Sequence, residues 1–188
     1  KYKADVFLSI HMNAALVADA RGAETYFLSL EASDELARRA AERENESNGN
    51  SATTTAESDL RLILWDLAQQ EYLKESSRLA ELVQSEMNTM SGIQNRGVKQ
   101  APFKVLLGAT MPAALVEVGF ISNPDEAAKL RDDAFQDEVA ATIARAVGRF
   151  KSEYDARVGV VAPALPAVAT PPSPVAAPPP APAQQPGV

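Results

Sequence analysis

The chain has 188 residues, 46% of them hydrophobic, enough for one domain with a core of its own. Its formal charge of −7 lacks the basic face that a nucleic-acid binder presents to phosphates. Cys is absent, which excludes disulfides and thiolate metal sites, and no run approaches the roughly 20 apolar residues of a membrane span.

Lys1-Tyr2-Lys3-Ala4-Asp5 leads without a secretory leader into residues 6–10, an apolar run that reads as a buried strand. An opening on an interior-type strand is expected of a fragment whose N-terminal part is missing. The strand ends in the single histidine, His11, followed by Asn13. Residues 21–29 read as a second strand, with Gly22 suited to the turn that starts it. Ser33 offers a helix cap, with Asp34 and Glu35 in the first turn where the helix dipole favours negative charge, and the helix should fade near Glu46. Residues 45–55 are small, polar and unpatterned and read as a loop.

Ser58 or Asp59 is then the expected cap of a long helix, with Leu60, Leu64, Leu67, Ala68, Tyr72, Leu79, Leu82 and Val83 at helical spacing. Residues 103–107 read as the third strand and 114–118 as the fourth. Asp125 opens a short helix after Pro124. A last amphipathic helix covers about 134–154, with Val139, Ile143, Val147 and Phe150 on one face. Alternating strands and helices give an α/β domain with a mixed, mostly parallel sheet flanked by helices on both faces. The domain is expected over residues 1–156, with an insert around 42–67. Residues 157–188 are expected to form a disordered Pro/Ala-rich linker or tail: ten of the 13 prolines lie from Gly159 onward, in a stretch without a charged residue.

Two residues carry the chemistry. His11 sits at a strand end, where α/β proteins place their sites, and neutral imidazole is a common zinc ligand. A histidine that only bonds a carbonyl is the plainer alternative. Glu117 lies inside Leu115-Val116-Glu117-Val118, where a carboxylate is expensive to desolvate unless a charge opposes it. An arginine would satisfy it. A metal with its bound water would also do so, and would make Glu117 a general base.

The surrounding words are more specific. Ser9-Ile10-His11-Met12-Asn13, Arg21-Gly22-Ala23-Glu24, Gly97-Val98-Lys99 with Phe103-Lys104-Val105-Leu106, and Pro112 through Asn123 follow one another in the order and spacing of the zinc-dependent N-acetylmuramoyl-L-alanine amidases. The run Val116-Glu117-Val118-Gly119-Phe120-Ile121-Ser122-Asn123 carries most of the resemblance. It implies hydrolysis of the amide between N-acetylmuramic acid and L-alanine in peptidoglycan, by water on a catalytic Zn2+ with Glu117 as base. It implies His11 as one zinc ligand, the remaining histidine and glutamate lying upstream of this chain. With a single His, the chain alone is expected to bind zinc weakly and to be inactive.

Asn13 is either a turn residue or a positioner of loop or substrate. By the same resemblance Glu42 and Glu44, at the start of the insert, are candidate self-inhibitory ligands to the zinc, with a protein activator relieving the block. A solvated charge run is the alternative. The implied location is the bacterial cell envelope, periplasmic or extracellular. A non-catalytic wall-binding or regulatory module that keeps the fold is the competing function.

Overall fold

The computed structural model describes residues 3–47 and 56–159. In chain order these form β1 (Phe7–Asn13), β2 (Ala23–Leu28), α1 (Glu35–Ser47), α2 (Ala56–Met87), β3 (Asn95–Ala101), a 3-10 turn (Lys104–Leu106), β4 (Ala113–Phe120), α3 (Pro124–Lys129) and α4 (Asp133–Val158). The strands make one sheet in the order β1-β4-β2-β3. β1 runs parallel to β4 and β3 parallel to β2, while β2 and β4 are antiparallel. The sheet is therefore mixed and mostly parallel, as expected from the alternation of elements.

Every residue of β4 is buried, which is why this strand reads as a continuous apolar run with no polar face. Its side chains alternate between two clusters. Ala114, Val116 and Val118 pack with Leu79, Leu82 and Val83 of α2 and with Val139, Ile143 and Phe150 of α4. Ala113 and Leu115 pack with Tyr26, Leu28 and Phe103 and with Ala37, Ala40 and Ala41 of α1. Helices thus cover both faces, α2 and α4 on one and α1 on the other. The three small residues of α1, spaced i, i+3 and i+4, let that helix lie close against the sheet. Glu117 follows Ala113 and Leu115 in the alternation and so belongs to the α1 face.

Gly22 starts β2 for a steric reason: its φ is +102° and a Cβ there would lie 2.2 Å from the Gln94 carbonyl oxygen. Asn123 caps α3, accepting from the N–H groups of Asp125 and Glu126, with Pro124 in the first turn.

Several expectations are corrected. The cap of α1 is Asp34, whose Oδ1 accepts from Ala37 N–H at 2.7 Å; Ser33 instead bonds the backbone of Gln100 on β3. The third strand is Asn95–Ala101, not 103–107. The apolar run 103–107 turns as a 3-10 helix because Phe103 and Leu106 both drop into the cluster beneath α1. α1 continues through Asn45 to Ser47, so residues 45–47 of the expected loop are helical. Asn45 is held at its side chain, donating to Pro102 O at 2.9 Å and accepting from Lys104 N–H at 2.8 Å. α2 begins at Ala56, ahead of Ser58 and Asp59. α4 runs past residue 154 to Val158, where Gly159 closes it in the left-handed conformation. The side chains of Leu60, Leu64, Leu67 and Ala68, residues 48–55 of the expected insert, and the tail from residue 160 lie outside the described residues.

Candidate active site

The register of the sheet sets three polar side chains in one row. His11 on β1 pairs with Glu117 on β4, and Glu117 pairs in turn with Glu24 on β2. All three belong to the α1 face, since Phe7 and Leu115 share the alternation of His11 and Glu117, and Tyr26 and Leu28 that of Glu24. Neighbouring strands are roughly 4.8 Å apart, so the row compresses two carboxylates and an imidazole into a short span.

The two carboxylates are treated very differently. Glu24 is 2% exposed but fully compensated: Arg96 Nε and Lys99 Nζ each lie 3.1 Å from Oε2, and Asn13 Nδ2 donates to Oε1 at 2.9 Å. Glu117 is equally buried, and its Oε2 has no hydrogen-bond partner among the described residues. Burial pushes its carboxyl up to about 8, the charges of Glu44 and Glu24 add to this, and Arg43 pulls slightly the other way. A carboxyl in that range can accept a proton and give it back near neutral pH, which is what general acid–base catalysis requires.

His11 is held at both ring nitrogens. Nε2 lies 2.7 Å from Ser9 Oγ, and Nδ1 lies 3.0 Å from Glu44 Oε1. Glu44 comes from the last turns of α1, which lays it over the row. Glu42 takes no part, being half exposed and paired with Arg38 one turn earlier. Of the two acidic candidates in this stretch, the structure brings only Glu44 to the histidine. Asn13 is not an Asx-turn residue: it closes β1, is 5% exposed, and bridges Glu24 to Arg43 Nη2, the latter at 3.4 Å.

A catalytic zinc needs about three protein ligands and one open position. Among the described residues no group of three or more His, Asp or Glu side chains is arranged to hold a metal ion. His11 and Glu44 are neighbouring donors and Glu117 adds an unpartnered oxygen nearby, but the described residues do not by themselves form a zinc site.

Sequence reasoning passed over Glu24, Arg96 and Lys99. The signal for Glu24 was present: an acidic residue alternating with Tyr26 and Leu28 inside an apolar strand has to be buried. Arg96 and Lys99 escape notice because their strand begins eight residues before the apolar run 103–107 that reads as the third strand.

Comparison with known proteins accords with this geometry. The pattern of the family described as N-acetylmuramoyl-L-alanine amidase matches residues 1–149. The chain is 33% identical over 150 residues to the N-acetylmuramoyl-L-alanine amidase AmiA of Escherichia coli, covering 78% of this chain and 52% of that protein. It is 32% identical to AmiC of Neisseria meningitidis serogroup B, covering 79% of this chain and 36% of that protein. The chain thus spans about half the length of the first of these relatives and less of the second. Among solved structures, an N-acetylmuramoyl-L-alanine amidase from Clostridium difficile 630 matches with a TM-score of 0.52 and 28% identity, over 79% of this chain and 59% of that one. The catalytic domain of CwlV from Bacillus (Paenibacillus) polymyxa matches with a TM-score of 0.52 and 27% identity, over 80% and 59%.

Proposed function

Because the chain belongs to the N-acetylmuramoyl-L-alanine amidase family, we propose that it carries the proton-transfer half of a peptidoglycan amidase, which cuts the amide between N-acetylmuramic acid and L-alanine. The observation that supports this best is the buried carboxyl of Glu117, paired in register with His11, whose Oε2 has no hydrogen-bond partner among the described residues, next to a second carboxylate that is fully compensated. Water adding to the lactyl carbonyl gives up a proton to Glu117, and Glu117 returns it to the departing amine of L-alanine. Both transfers use one carboxyl whose affinity for a proton lies near neutrality.

Zinc is the proposed cofactor, with His11 as the ligand from this chain and the others drawn from residues it does not contain. In the absence of those ligands the chain is expected to hold zinc weakly and to leave peptidoglycan intact. Glu44 is proposed as a self-inhibitory group: it occupies the His11 ring nitrogen that faces α1, and a protein activator would act by drawing α1 away. Peptidoglycan as substrate places the protein in the cell envelope, periplasmic or extracellular. No helix among the described residues is long and apolar enough to cross a membrane.

The reading is tested by incubating the full-length protein with purified sacculi and assaying for newly exposed L-alanine amino groups. Their release supports the proposal. Binding of sacculi without release, in protein that has been loaded with zinc, supports the non-catalytic wall-binding module instead.

A further inference from the structure

We infer that Arg96 is a substrate-binding residue of the proposed amidase site, taking a free carboxylate on the peptide side of the scissile amide; this rests on the amidase reading above. Arg96 stands on β3, and its Nε donates to Glu24 Oε2 at 3.1 Å. Its guanidinium carbon lies 5.0 Å from the centre of the Phe120 ring, at the end of β4. One hydrogen bond and one ring face therefore hold the planar fork in place. The side chain is 21% exposed, and its two terminal nitrogens have no hydrogen-bond partner among the described residues. By contrast Arg78 and Arg157, on the far face, spend their terminal nitrogens on Glu81, Glu153 and Glu75.

The open edge of the guanidinium points to an anion. The single negative charge of Glu24 is met by two cations at the same distance, Arg96 and Lys99, and Lys99 is shared with Asp34 at 3.5 Å. A guanidinium held at Nε, with its outer edge unpaired, is preorganised for bidentate contact with a carboxylate. Glu24 is then a positioning residue that aims Arg96.

The span also fits. β3 lies two strands from Glu117 by way of β2, roughly 10 Å across the sheet. A stem peptide advances about 3.3–3.6 Å per residue, so a carboxylate on its second or third residue falls within reach when the scissile carbonyl is at Glu117.

The test uses the full-length protein and three synthetic muramoyl peptides: one with the second- and third-residue carboxylates free, one amidated at the second residue, and one amidated at the third. The wild type should show a KM about tenfold higher on one of the amidated peptides, the size expected from losing a charged hydrogen bond, and this identifies the carboxylate that is read. Arg96→Gln should raise KM about tenfold on the peptide with both carboxylates free and abolish the difference between peptides, with kcat little changed. Arg96→Lys should restore part of the preference. Equal KM values for all three peptides in the wild type overturn the inference, even if Arg96→Gln fails to fold. An equal loss on every peptide in Arg96→Gln assigns Arg96 to neutralising Glu24 alone and also overturns it. If no peptide is cleaved, the amidase reading has failed, and calorimetric titration of the same peptides decides Arg96 separately: preferential binding of a free carboxylate supports it and equal binding refutes it.

Discussion

On the face covered by α2 and α4, β4 presents Ala114, Val116 and Val118, and the buried polar side chains of Thr25 and Gln84 both find partners. Thr25 Oγ1 donates to Gln84 Oε1 at 2.9 Å, and Gln84 Nε2 donates to the Ala23 carbonyl at 3.0 Å. On the face covered by α1, the same strand presents Ala113, Leu115 and then Glu117, whose Oε2 is left without a hydrogen-bond partner among the described residues. The strands are common to both faces, so the contrast comes from what is placed opposite them. Satisfied polar groups cost little and hold the core in register, whereas an unsatisfied buried carboxyl costs stability and persists where it has work to do.

Disrupting the first face should cost stability and spare chemistry. Phe150→Ala, at a site 3% exposed, should destabilise by about 3–5 kcal/mol in urea unfolding while turnover per folded molecule is unchanged. A matching loss of turnover per folded molecule would show that the two faces are not separable.

Disturbing the second face should do the reverse. Glu44→Ala frees His11 Nδ1 and should raise the basal rate of the full-length protein on dye-labelled sacculi about tenfold, since a ligand tethered in the same chain competes at high effective concentration. Glu42→Ala should leave the rate alone, because Glu42 spends its charge on Arg38. Equal effects of the two substitutions would make this stretch a general acidic patch and remove the special role of Glu44.

A subtler contrast lies in pH. The Glu117 carboxyl titrates near 8 when folded, against an ordinary value of 4.5, so the native state holds a proton that the unfolded state has released between those values. Stability contributed by that proton is present at low pH and is lost as pH rises through about 8. Glu117→Gln removes the titration, so its melting temperature should gain on the wild type as pH is raised from about 5 to about 8. A constant difference across that range would mean that Glu117 is compensated in solution. The measurement belongs on metal-free protein.

Much of this contrast could be read from the sequence, and the parts that could not share a cause. β4 and α4 carry runs whose periodicity matches their burial, and the word around Glu117 specified both strand and family. The apolar run 6–10 marks β1 as a strand but not its burial, because β1 lies at the sheet edge with Ile10 55% and Met12 48% exposed. β3 was misplaced because Asn95, Arg96, Lys99 and Gln100 interrupt any apolar alternation in a half-buried edge strand, while Phe103 and Leu106 supply an apolar signal that belongs to a turn. The burial of Glu24 is legible in its alternation with Tyr26 and Leu28, but its place beside Glu117 is not, because that depends on which strands are neighbours. Local pattern cannot reveal that β2 runs antiparallel to β4 and sets Glu24 against Glu117. The separation of Glu42 from Glu44 likewise depends on the rotation of α1 about its axis, which its buried alanines fix only once the sheet is in place.

The most direct test of the account is Glu117→Gln in the full-length protein, with turnover on purified sacculi, bound metal and unfolding measured on the same sample. Turnover should fall by about 10²–10⁴, the range of general acid–base catalysis, while metal content and fold are preserved. Near-normal turnover in a folded variant with undiminished metal would contradict the assignment of Glu117 as the proton-transfer group.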